Sequence, residues 1–219
     1  MSNWIFRLHA CEKKYDLFLK KILPIFSYLF HPIFISVYAA AFFFILFWDF
    51  FVIQEIYLYM IQIVIITVLI PISLFYLLLS LGKVDSVMIA QLSQRKIPLI
   101  VNCILLLILT QKSITADRVP ELYFFFFGAF WSTILAVLLL FLKIKASLHM
   151  LGMAALTLFI IGLSSKVEVS LIYTIASFIT LNGFVASSRL QMKAHSIFEL
   201  ITGFLCGAIP QFCLWYFWL

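Results

Sequence analysis

Residues 122–142 read LYFFFFGAFWSTILAVLLLFL, twenty-one positions without a charged side chain. A helix of about that length crosses the hydrocarbon core of a bilayer, because each residue rises about 1.5 Å and the core is about 30 Å thick. Comparable apolar runs recur along the chain. We read seven, at about 30–48, 57–81, 97–111, 122–142, 148–163, 168–186 and 197–218. Their apolar character is continuous rather than alternating, which argues against a β-barrel, and backbone in lipid must satisfy its own hydrogen bonds. The expectation is an all-α, polytopic transmembrane bundle of about six to seven membrane helices. The third and fifth runs are short and need not span fully.

With 65% hydrophobic residues among 219, the chain exceeds the apolar share of soluble domains. No polar linker divides it, so 1–219 reads as a single transmembrane domain. Residues 1–21 carry five Lys/Arg without a cleavage-type small-residue site and read as an amphipathic, interfacial segment. Cys11, Cys103, Cys206 and Cys213 lack metal-ligand spacing, so no metal, no cofactor and no disulfide is expected. The net charge of +6 sits at segment ends, where it sets topology and meets anionic headgroups; nucleic acid is not the expected partner.

The polar seams carry the remaining information. They are GKVDSVMIAQLSQRKIP (82–98), KIKASLHM (143–150) and SSRLQMKAHSIFE (187–199). Two segments separate each seam from the next, so all three face one compartment and can meet at one site. Together they bring His149 and His195, the carboxylate Glu199, and the cations Arg95, Lys96, Lys143, Lys145, Arg189 and Lys193. Many cations with two imidazoles suit a phosphate substrate. One histidine can attack phosphorus while Glu199 orients it, and the other can protonate the leaving oxygen.

The stretch Ser188-Arg189, five residues, His195, three residues, Glu199 resembles the third signature of the type 2 phosphatidic acid phosphatase and vanadium haloperoxidase superfamily, with glutamate where aspartate is usual. Ala146-Ser147-Leu148-His149 resembles the second signature, with alanine for its proline and leucine for its glycine. Arg95, Lys96 and Pro98 offer a shifted remnant of the first. The resemblance spans 95–199. It implies His195 as nucleophile, His149 as general acid, Glu199 as the residue orienting His195, and Arg189, Ser147, Ser188, Lys96 and Arg95 around the phosphate. It further implies a membrane lipid phosphate or polyprenyl pyrophosphate as substrate; the expected setting is a bacterial inner membrane.

Each residue has a plainer reading. Ser196-x-x-Glu199 is a capping box. Arg189, Lys193, Lys143, Lys145, Arg95 and Lys96 also suit helix-end anchors, and His149 an interfacial histidine. His31 reads as a packing residue, Asn182 as an interhelical hydrogen-bond former, and Phe124 to Phe127 and the terminal WYFWL as lipid-facing or belt aromatics. A catalytically degenerate relative that binds headgroups or a protein partner remains open, as does an unrelated transporter or small membrane subunit. The positive-inside rule puts twelve of fifteen Lys/Arg, and the three seams, in the cytoplasm. Membrane relatives in the family often place the site on the opposite face.

Overall fold

The structure, a computed structural model, describes residues 21–84 and 92–219. The amphipathic segment expected at 1–21 therefore lies outside the described residues apart from Lys21, and so does the middle of the 82–98 seam. Among the described residues the chain is helical and contains no strand. The helices are α1 (Lys21–Leu29), α2 (Pro32–Leu46), α3 (Ile53–Ser80), α4 (Lys96–Lys112), α5 (Pro120–Phe141), α6 (Leu148–Ser164), α7 (Ile172–Gln191) and α8 (Ile197–Trp218).

Among these, α3, α5 and α8 are long and apolar enough to cross a membrane. α1 and α2 add a fourth if counted together as one span bent by 64°. Several spans of this kind mark a membrane protein. The first apolar run is thus broken at its start, where His31 precedes Pro32. α3 continues through a π-helical turn at Ile65–Leu69. That turn ends just before Pro71, which has no N–H to complete the regular ladder.

α6 is the central helix. It packs against α8, α2, α7 and α5, and thirteen of its seventeen residues are buried. Seventeen residues reach about 25 Å, short of the hydrocarbon core. A helix wrapped by its neighbours does not need to match that thickness, which explains the shortness of the fifth apolar run.

α6 and α8 approach each other backbone to backbone. Gly203 and Gly207, four apart on α8, lie directly over the α6 backbone: a Cβ at Gly203 would collide with the Ser147 carbonyl, and one at Gly207 with that of Leu151. In lipid there is little hydrophobic drive between helices, so small residues that admit backbone-to-backbone contact govern association. Asn182 on α7 donates to Thr157 Oγ1 on α6 at 2.7 Å, the interhelical bond expected of it. The aromatic run of α5 departs from expectation. Phe125 and Phe126 are fully buried, and Trp218 of the terminal run is buried as well. Part of this aromatic surface is core rather than lipid-facing.

Candidate active site

Local chemistry at the α7–α8 junction is set by Ser196 and Glu199. Ser196 Oγ accepts from the Glu199 N–H at 3.3 Å, and Glu199 Oε2 accepts from the Ser196 N–H at 3.4 Å, a complete capping box. The same Oε2 lies 2.7 Å from His195 Nδ1. An ionised carboxylate only accepts, so the proton of a neutral His195 resides on Nδ1 and Nε2 keeps its lone pair. Capping and orienting are therefore both served by one carboxylate oxygen. The spacing of four suggests one helical face, but His195 precedes the Ser196 cap and lies outside α8, so the pair meets across the start of the helix instead.

The other two seams converge on this pair. Ser147, the residue before α6, donates its N–H to the Glu199 carbonyl at 3.0 Å, an approach that only a side-chain-free Gly203 permits. Lys145 donates to the Ala194 carbonyl at 2.9 Å and stands 3.9 Å from Glu199 Oε2. Arg95 Nη1 reaches the Ala146 carbonyl at 3.4 Å. Ser188, buried at the end of α7, meets Ser27 of α1 hydroxyl to hydroxyl at 2.6 Å. Arg189 beside it is also buried, with its guanidinium 3.9 Å from Met192 Sδ. His149, buried in the first turn of α6, points Nε2 at the Ser27 carbonyl at 3.1 Å.

Of the residues singled out in the sequence, His195, Glu199, Ser147, His149, Ser188, Arg189 and Arg95 thus share one end of the bundle. Lys96 does not join them: it is exposed, and its ammonium sits 5.6 Å from the Phe141 ring centroid. Two more residues belong to this cluster. Lys145, which the sequence offers both as a seam cation and as a helix-end anchor, contacts the His195–Glu199 unit directly. His31, which the sequence offers as a packing residue, sets its ring edge-on to that of His149, with centroids 5.2 Å apart. No local spacing signals the His31 contact.

Electrostatics favour an anion here. Burial is the main force on His195 and draws its pKa down to about 4. The Glu199 bond opposes this, while Lys145, Arg189 and Arg95 reinforce it. At neutral pH the imidazole is therefore uncharged and nucleophilic. Lys145 is itself drawn below its ordinary value, chiefly by burial, against the pull of Glu199. Ser147 Oγ is fully buried with no hydrogen-bond partner among the described residues, and it does not cap α6. A buried hydroxyl beside an uncapped helix N-terminus is suited to an anionic oxygen. No protein-family model matches this sequence, and no curated protein and no solved structure matches it either.

Proposed function

We propose that the protein is a phosphatase of membrane lipid phosphates that works without a metal ion, through a phosphohistidine on His195. The proposal includes a type 2 phosphatidic acid phosphatase-like bundle of six to seven membrane helices. The observation that carries it is the 2.7 Å His195–Glu199 bond amid Arg189, Arg95 and Lys145, with His149 in the adjoining first turn of α6.

In the first half-reaction His195 Nε2 attacks phosphorus and the P–O bond to the lipid breaks. His149, which burial and the Arg189 charge hold neutral in the free protein, takes up a proton with the anionic substrate and gives it to the leaving oxygen. Arg189, Arg95 and Lys145 offset the charge spreading over the phosphoryl oxygens, and Ser147 Oγ adds a neutral donor. The Nδ1–H bond to Glu199 strengthens as the attacking ring becomes cationic. In the second half-reaction water attacks phosphorus, His149 takes its proton, the P–N bond breaks, and inorganic phosphate leaves. Both histidines then stand as they did in the substrate complex.

Position supports a lipid substrate. The site lies where α6 and α8 begin, at the ends of apolar helices, which is the depth of a headgroup phosphate. The bilayer is thus both the environment and the source of substrate. The charge count supports the cytoplasmic face.

One observation favours a second reading, a catalytically silent protein that binds headgroups or a partner. The His195 side chain is 2% exposed and the His149 Nε2 is already engaged, so the cluster can also serve as a closed polar plug. Phosphate release from a phosphatidate in detergent micelles with EDTA present separates the two. The enzyme reading expects turnover that vanadate inhibits, since vanadate adopts the geometry of the phosphoryl transition state. The plug reading expects none.

A further inference from the structure

The chemistry proposed above leaves the α1–α2 elbow without a role, although the elbow touches His149. Its origin is Pro32, whose ring disfavours the helical region for the residue before it. His31 is accordingly extended, with φ −64° and ψ 136°. The break removes the helical donors of three α1 carbonyls, those of Ser27, Tyr28 and Leu29. Leu29's receives the Tyr38 hydroxyl at 2.9 Å, while its regular donor, the Ile33 N–H, turns to His31 Nδ1 at 3.4 Å. Ser27's would have received the His31 N–H, and faces His149 Nε2 at 3.1 Å instead.

A carbonyl only accepts, so His149 Nε2 carries a hydrogen in this arrangement. A transferable proton on His149 must therefore reside on Nδ1. The His31 ring stands perpendicular to the His149 ring, at 87°, and limits its rotation. Ser27 also holds Ser188 through its hydroxyl, so the elbow is tied to the residue next to Arg189.

We propose that the elbow belongs to the site, with the Ser27 carbonyl and the His31 ring as positioning groups that hold His149 as the proton donor to the leaving oxygen. This rests on the phosphatase reading. The consequence concerns leaving groups. An alkoxide needs a proton as the P–O bond breaks, whereas a nitrophenolate does not. Loss of positioning therefore slows the alkyl ester selectively.

The test uses the purified full chain, His31→Asn, Pro32→Ala, and two substrates, a phosphatidate and a nitrophenyl phosphate bearing an alkyl chain. Asparagine is a strong helix cap and preserves the start of α2. Values of kcat/KM report the step that forms the phosphohistidine. Expected in both variants is a loss of about tenfold or more on the phosphatidate, part of what a general acid supplies, with the nitrophenyl ester little changed. Equal losses on both esters, or none on either, overturn the proposal and leave the phosphatase reading standing. A wild-type protein that cleaves only one of the two esters shows that leaving-group protonation does not govern its selectivity, and also overturns it. Wild-type protein that cleaves neither ester ends both.

Discussion

Replacing Glu199 by glutamine separates the two tasks that meet on one carboxylate oxygen. Glutamine is nearly isosteric, retains an acceptor for His195 Nδ1, and leaves the backbone bonds to Ser196 and Ser147 in place. What it removes is charge. A hydrogen bond to an ionised group contributes about 1.5–3 kcal/mol and a neutral one about 0.5–1.5, so the resting site loses roughly 1 kcal/mol. When His195 becomes cationic on attack, the lost attraction is larger: unit charges about 4 Å apart at an effective dielectric of about 20 interact by about 4 kcal/mol. Turnover should thus fall by a factor between about 10 and 1,000. Ser196→Ala is the control. It removes only the cap, worth about 1 kcal/mol of stability, and should leave kcat within about twofold. Steady-state phosphate release and thermal unfolding in the same detergent measure both quantities. If Glu199→Gln loses stability as Ser196→Ala does and turnover is spared in both, Glu199 is a helix cap and nothing more.

The glycine pair offers a structural test: Gly207→Ala must push α8 off the Leu151 carbonyl, which cannot yield as a side chain does, and should cost about 1–3 kcal/mol, seen as a lower unfolding temperature in detergent. A midpoint equal to wild type would show that the helices are not in backbone contact there. For pH, His195 reacts when neutral and its pKa is drawn down to about 4, so the active form persists below the ordinary histidine range and is lost as pH falls towards 4. Lys145→Gln removes a cation that favours the neutral ring, and should move the acid limb of kcat/KM to higher pH; identical limbs in the two proteins would refute the coupling, and any ionisation of the substrate cancels in that comparison. Topology is tested by single cysteines at Gln191 and at Ala116 with the native cysteines replaced: in intact cells a membrane-impermeant maleimide should label Ala116→Cys and spare Gln191→Cys, and the reverse pattern would put the site on the outer face.

The legible parts of this molecule were those written in local spacing. Apolar run length gave the helices; the spacing of four between His195 and Glu199 kept the two close, although they meet across the cap of α8 and not along a helical face. Ser196-x-x-Glu199 gave the cap, and the competition between capping and orienting dissolved because one oxygen does both. What the sequence hid was which apolar surface faces lipid and which faces protein. Acyl chains and a packed core are about equally apolar, so composition does not distinguish Phe125 and Phe126, both buried, from their neighbours Phe124 and Phe127. For the same reason α6 looked like a short span rather than the central helix. His31 and His149 are 118 positions apart, and their contact depends on the elbow at Pro32 together with the packing of α2 on α6. Neither has a local signature. Lys145 is ambiguous in a different way: a cation at a helix end serves the bilayer interface and an anion site equally well, and only its contacts with Ala194 and Glu199 put it beside His195.

The central claim is a covalent intermediate on His195, and its most direct test is to look for it. Wild-type protein mixed with a lipid phosphate, quenched in base to preserve phosphohistidine, and digested for mass spectrometry should carry a phosphoryl group on His195. His195→Gln should show neither the modification nor turnover. Turnover in the wild type with His195 unmodified and the phosphoryl group on another residue, or undiminished turnover in His195→Gln, would contradict the account.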